Sequence, residues 1–192
     1  MFFNGLLMEK IFPPSKIPVA KALLKRRNIK DVYSAFECVD SDRVRLREFL
    51  PWVDASKSVE DQVWYVGECT KDWEDGKLFD YGIYNAEDEF IGAIGVHNIR
   101  WDHNCCEIGY WIHQKYEGQG LISSALQGLE KILFELGFHR IEIRCEPRNK
   151  KSASVPLRNG YAFEGILRED RLFQGNYRDT AVYAKLKGDL KN

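Results

Sequence analysis

The sequence predicts a mixed α/β domain whose sheet is mostly antiparallel, with six to seven strands. Three observations predict it. Apolar residues keep a helical period up to about residue 73, alternate as in strands from 78 to 112, and return to a helical period over 121–136. Strand-like segments lie on both sides of that last helix, so it has to cross a sheet. The chain has 192 residues, 44% of them hydrophobic, and a chain of that size buries roughly 70% of its unfolded surface without metal or disulfide.

The elements follow in order. An irregular arm occupies residues 1–17, and Pro18–Leu24 reads as a first strand. Ile29, Val32, Tyr33, Phe36 and Val39 recur at helical spacing, and Ser41 is placed to cap a second short helix through Leu50. Ser58 and Asp61 form a capping-box pattern for a helix to about Trp73, closed by Asp75-Gly76. Strands Leu78–Tyr84 and Glu89–Ile99 flank a polar turn, and Cys105–Ile112 follows with Gly109 inside it, the mark of a bulge or a close backbone approach. Ile122, Ala125, Leu129, Ile132 and Leu136 share one helical face, with Gly137 at the C-cap position. A strand at His139–Cys145, a short helix Lys151–Arg158 and strands Tyr161–Arg168 and Thr180–Leu186 complete one domain spanning 1–192.

Composition excludes several functions. With 28 basic and 29 acidic side chains the net charge is −1, which gives no field for nucleic acid. That balance hides a segment of +4 over residues 1–50 and one of −8 over 51–90. The five cysteines lack metal-ligand spacing and read as reduced thiols, so no metal is expected. The apolar start lacks a basic leader, and no run of about 20 apolar residues follows, so a cytoplasmic protein without membrane contact is expected. His97, His103, His113 and His139 stand in no triad-like context and read as structural or exposed.

The chemistry concentrates after the third strand. Lys115-Tyr116-Glu117-Gly118-Gln119-Gly120 runs straight into the long helix, whose first N–H groups have no internal partner. With glycines leaving the backbone open, such a turn is an anion cradle. The dinucleotide fingerprint is incomplete and the phosphate-loop lysine is absent. The stretches EGQGLISSALQ (117–127) and LRNGYAFEG (157–165), with Glu107-Ile-Gly-Tyr-Trp111, Asn149 and Ser152, occur in a recognisable order. Here the sequence resembles the GNAT acyltransferase superfamily and, within it, the RimL/RimJ group of ribosomal-protein N-terminal serine and alanine acetyltransferases.

The resemblance implies a GNAT fold with helices on both sheet faces and acetyl-CoA as cosubstrate. It implies that the N–H groups of Gly118, Gln119, Gly120, Leu121 and Ile122 hold the CoA pyrophosphate. Lys115 stands where the superfamily usually has Gln or Arg, and Glu117 replaces a frequent Arg, which removes a possible phosphate contact. The strand edge Tyr110, Trp111, Ile112 would pair with pantetheine, as would the Asn149 side chain, and Ser152 would face the thioester sulfur. The superfamily's usual acidic tyrosine is Pro156 here, so Ser152 would assist the thiolate. Leu50-Pro51-Trp52 resembles the aromatic acceptor segment. An α-amine of pKa about 7.7–8.0 is mostly protonated at neutrality, and Glu107 is the candidate base, acting through a water. A backbone N–H near Tyr110 or Trp111 would steady the oxyanion. Three readings stay open: transfer to a protein N-terminus such as a ribosomal protein's, transfer to a small amine (antibiotic, aminoacyl nucleotide or polyamine), and a CoA-binding module without turnover. A homodimer is expected of the group.

Overall fold

The computed structural model describes residues 10–191. Its strands are β1 (Lys16–Val19), β2 (Ala22–Arg26), β3 (Phe79–Tyr84), β4 (Phe90–Arg100), β5 (Cys105–Ile112), β6 (Arg140–Cys145), β7 (Ala162–Phe173) and β8 (Asn176–Leu186). They form one eight-stranded sheet in the order β1-β2-β3-β4-β5-β6-β8-β7. The helices are α1 (Val32–Asp40), α2 (Arg43–Leu46), α3 (Val59–Glu74), α4 (Leu121–Glu135) and α5 (Lys150–Arg158). Among the described residues only β5 and β6 pair in parallel, because α4 carries the chain between them across the sheet.

Strand alternation sorts β5 between two layers. Cys106, Ile108, Tyr110 and Ile112 join the main core with Leu121, Ala125, Leu129 and Leu133 of α4 and Val155 of α5. Trp111 faces the other layer, against Ala35 and Val39 of α1 and Leu46 of α2. Glu107 and Gly109 share the Trp111 face by the period of two.

Four sequence expectations need correction. The sheet has eight strands because Ala20-Lys21 is a turn that splits the segment read as one strand into the hairpin β1–β2. Ser41 does not start α2: its hydroxyl donates back to Glu37 O at 2.7 Å and closes α1. No bulge falls at Gly109, which pairs in register with Gly95; the irregularity lies on β4 between His97 and Arg100. There Asn98 takes the left-handed conformation at φ 48°. The last two strands extend to a hairpin at Gln174-Gly175: after an irregularity between Leu167 and Arg171, pairing resumes from Arg171–Arg178 to Phe173–Asn176, in a stretch whose many charged residues hide a strand period. The capping box held as read: Asp61 N–H reaches Ser58 Oγ at 3.4 Å and Ser58 N–H reaches Asp61 Oδ2 at 2.9 Å.

The feature that positions the site is where β5 and β6 part. They pair only from Cys105–Arg140 to Glu107–Glu142. Beyond Glu107 the β5 residues 108–112 remain paired to β4 alone, and a wedge opens between the strands. The β4 side of this edge is tight. A methyl at Gly92 would lie 2.4 Å from Trp111 O and 2.9 Å from Ile112 Cα. Gly92→Ala therefore pushes backbone against backbone and should lower Tm by roughly 3–10 °C in a thermal melt; an unchanged Tm would contradict this packing.

Candidate active site

The turn after β5 is built as an anion cradle. Gly118 and Gly120 have φ of +74° and +76°, a region that favours glycine, and a methyl at Gly118 would meet nothing within 4 Å. Gly120 is the N-cap of α4 and offers no side chain to its first N–H groups, so these stay free for a ligand. Cations gather around it. Lys21 Nζ donates to Gln119 O at 2.9 Å, and Arg158 Nε donates to Ser123 Oγ at 2.8 Å. Glu117, read from sequence as a lost phosphate contact, recruits two more: Arg45 Nη1 at 2.8 Å and the Lys151 ammonium. The +4 segment 1–50 thus supplies Lys21 and Arg45 to a turn that is itself far along the chain. Lys115 is exposed, and its carbonyl accepts from Gln119 Nε2 at 3.0 Å.

A buried polar network fixes this turn to α1 and α2. Arg45 donates to Ile112 O at 2.7 Å and to Asp42, whose Oδ2 accepts Gln114 N–H at 3.0 Å. His113 is buried, and its Nδ1 accepts Lys115 N–H at 3.2 Å. Its Nε2 therefore carries the proton and donates to Ser41 Oγ at 3.3 Å. His113 is thus one of the histidines read as structural, and its partner Ser41 lies 72 residues away in the sequence.

On the α1 face, Glu107 stands at the apex of the wedge with 13% of its side chain exposed. Arg144 Nε lies 3.4 Å from Glu107 Oε1, while its Nη2 holds Glu142 at 2.9 Å. His97 of β4, directly opposite Glu107, places Nδ1 3.9 Å from Glu107 Oε2. Burial pushes the His97 pKa down, and Glu107 opposes that shift. Gly109 gives the ring its room, since a methyl there would lie 3.0 Å from His97 Nε2. Four residues along β5, Trp111 packs against half-exposed Trp52 with centroids 5.7 Å apart and the rings tilted by 53°. Glu107, Arg144, Cys145, Asp170, Arg171 and Thr180 line a cavity of about 250 Å³. A larger hollow of about 330 Å³ lies between α4 and the C-terminal residues and holds none of these groups.

On the opposite face, Tyr110 donates its hydroxyl to Ser152 O at 3.1 Å, tying β5 to α5 across the wedge. Asn149 Oδ1 caps α5 by accepting Ser152 N–H at 3.1 Å, which leaves its amide Nδ2 for any further contact. Burial pushes the Cys145 thiol pKa up, and a hydrogen bond with the Ser152 side chain draws it partly back. Ser152 thus sits in the first turn of α5 beside a thiol that borders the Glu107 cavity. Pro156, buried inside α5, occupies the position without a tyrosine. The sheet therefore divides the candidate residues: Glu107, Trp111 and Trp52 on one face, Tyr110, Ser152 and Asn149 on the other.

With this geometry, residues 23–162 match the acetyltransferase (GNAT) domain. The chain belongs to the GNAT acetyltransferase family. This GNAT protein is 32% identical over 152 residues to the ribosomal-protein-serine acetyltransferase of Escherichia coli (strain K12), covering 79% of this chain and 84% of that one. Among solved structures it resembles RimL, a ribosomal alpha-N-protein acetyltransferase in complex with coenzyme A, with TM-score 0.85 and 26% identity over 89% of this chain and 97% of that one. A Salmonella typhimurium acetyltransferase described as modifying the N-terminal serine of a ribosomal protein gives TM-score 0.82 and 25% identity, covering 89% and 98%. The GNAT protein is accordingly an N-acetyltransferase with acetyl-CoA as cosubstrate. The open cradle at Gly118–Ile122, its uncapped helix start and the surrounding cations fit a CoA pyrophosphate.

Two outcomes follow from this site. A side chain at Gly120 costs about 1–2 kcal/mol in the left-handed region and closes the cradle, so Gly120→Val should raise KM for acetyl-CoA by tenfold or more in steady-state assays. Burial also holds the His113 pKa below its ordinary value, against the pull of Asp42. A depressed histidine contributes stability that is complete above the unfolded pKa of about 6.5 and lost as pH falls through the folded value. His97 shares that sign. Thermal melts should therefore show Tm falling on acidification below about 6.5, with a smaller fall for His113→Gln, which cannot titrate. An equal fall in the variant would remove His113 from the account.

Proposed function

We propose that this GNAT enzyme acetylates the N-terminal α-amine of a protein, with Glu107 as general base and Ser152 supporting the departing thiolate. The observation that carries the reading is the position of Glu107. It is a mostly buried carboxylate at the apex of the β5–β6 wedge, on the face that also presents Gly109, Trp111 and Trp52. The similarity to enzymes named for ribosomal-protein serine supports the choice of acceptor.

In this reading the cradle residues Gly118, Gln119, Gly120, Leu121 and Ile122 hold the pyrophosphate. The free edge of Tyr110, Trp111 and Ile112 aligns the pantetheine as an added strand would, with Asn149 Nδ2 as a further donor. Acetyl-CoA supplies the activated thioester. The acceptor amine approaches from the Trp52 side, where the exposed indole gives a rigid apolar wall at low entropic cost. Glu107 receives the ammonium proton through a water, which gives the amine its lone pair for attack. Neutral His97 offers a path for that proton to solvent. As the carbonyl oxygen gains charge, an unpaired β5 N–H at the wedge stabilises it.

The departing sulfur gains negative charge near the start of α5. Ser152 and the N-terminal end of the α5 dipole both favour charge there. A hydroxyl is a weak acid beside a thiol of pKa about 8.5, so its part is to donate a hydrogen bond.

Incubation with acetyl-CoA and peptides of differing N-terminal residue, beside polyamines and amino sugars, should release CoA fastest with a peptide. Glu107→Gln should lower kcat roughly 10²–10⁴-fold with acetyl-CoA KM within a few fold. Ser152→Ala should lower kcat by about tenfold, the loss of one hydrogen bond to charge. A higher kcat/KM for a small amine than for every peptide would overturn the acceptor assignment.

A further inference from the structure

The cavity that Glu107 lines has a second wall, formed by a bulge in β7. Leu167 pairs with Thr180 and Arg171 with Arg178, so Arg168, Glu169 and Asp170 stand opposite Asp179 alone. Glu169 takes the left-handed conformation at φ 52°, and its N–H donates to Asp179 Oδ1 at 2.9 Å. Such backbone is unfavourable for a residue with a side chain, and it collects at active sites and ligand clamps. On the far side of the bulge, Arg171 Nη2 donates to buried Glu146 at 3.3 Å, and Arg148 and Arg178 hold the same carboxylate. The bulge is thus fastened on both flanks. Asn98, the left-handed residue of the β4 irregularity, borders the same cavity. Bulges beside active sites commonly re-aim a side chain.

The side chain between the two fastenings is Asp170. It lines the cavity of about 250 Å³ together with Glu107, Arg144, Arg171 and Thr180. The other charges of that lining are engaged. Arg144 holds Glu142 at 2.9 Å and lies 3.4 Å from Glu107, and Arg171 is turned to Glu146. Asp170 makes no hydrogen bond or ion pair among the described residues. Burial works against the Arg144 charge, while Glu142, Glu107 and Asp170 together raise its pKa. Asp170 therefore acts electrostatically on the same guanidinium that Glu107 faces. The charge left without a partner in this cavity is negative.

We propose that Asp170 docks the acceptor's α-ammonium in this cavity and presents it to Glu107. Resting on the assignment of Glu107 as base, this divides two tasks between two carboxylates. An α-amine of pKa about 7.7–8.0 arrives mostly as ammonium near neutrality. Glu107, already beside Arg144, attracts that cation weakly, whereas unpaired Asp170 attracts it and holds it within reach of the base. No bond is made or broken at Asp170, and the proton leaves the amine toward Glu107. The acceptor chain then runs out of the cavity toward Trp52. Asp170 is exposed at the rim, so its contribution to affinity is that of an ion pair open to water, about fivefold at the upper end.

Calorimetry on the CoA-loaded enzyme at about pH 7, where the amine is mostly charged, reads docking without turnover. The probes are Ser-Ala-Ala-Ala and the same peptide with its α-amine replaced by hydrogen. The wild type should bind the amine peptide about fivefold more tightly. Asp170→Asn should bring the ratio close to one with CoA affinity unchanged, while Glu107→Gln should keep most of it. Asp179→Ala removes the acceptor that pins Glu169 and should lower the ratio too, which covers the case of a poorly folded Asp170→Asn. A wild-type ratio near one, no binding of either peptide, or a full ratio in folded Asp170→Asn overturns the proposal. In steady-state acetylation Asp170→Asn should raise the peptide KM about fivefold with kcat near wild type, and a fall in kcat alone would overturn the docking role. Turnover by a wild type whose binding ratio is near one removes the docking role and keeps the proposed function. Amine-selective binding through Asp170 without turnover of any peptide keeps the site and removes that function.

Discussion

The structure depends on β5 and β6 ceasing to pair after Glu107. A parallel pair normally satisfies its backbone groups along its whole length, and here three residue pairs are all it makes. The split is held from both faces. On one, Arg144 bridges Glu107 and Glu142 at the last paired rung. On the other, Tyr110 reaches across to the backbone of Ser152 and keeps α5 against the opening. The strand edge left free is the kind of surface that an extended amide-bearing ligand completes. In the proposed function, the acid–base group, the thiolate side and the pantetheine edge all follow from that one interruption.

The cradle is the second consequence. Because β5 runs on beyond the wedge paired to β4 alone, its next turn delivers α4 with its uncapped N-terminus at the end of that free edge. In the proposed mechanism, phosphate and thioester meet one continuous run, from Glu107 to Ile122. No overall positive charge is needed. Lys21, Arg45, Lys151 and Arg158 are drawn in locally, two of them by Glu117.

Much of this was legible in the sequence. Cys105–Ile112 and the long helix stood out because each shows an unbroken period, and Gly118 and Gly120 marked the turn between them. What could not be read depends on register and on distant partners. His97 shows no motif, and it reaches Glu107 only because the β4–β5 pairing sets the two opposite each other. Ser41 looked like a helix start because local spacing does not reveal that His113, 72 residues on, donates to it. Glu117 read as a loss because its two cationic partners come from α2 and α5. Gly109 was read as a bulge or a close backbone approach, whereas a side-chain ring from the next strand needs the space, and the bulge is on that strand.

The account rests on the free β5 edge as the seat of the pantetheine arm, and amide hydrogen exchange measures that edge directly. In the free enzyme the amides of residues 108–112 that face away from β4 should exchange rapidly, while those bonded to β4 stay protected. Saturating CoA should slow the exposed set by tenfold or more, and the slowing should extend to Gly120–Ile122. Exchange at residues 110–112 that is already slow without CoA, or unchanged by it while the enzyme binds CoA, would contradict the account.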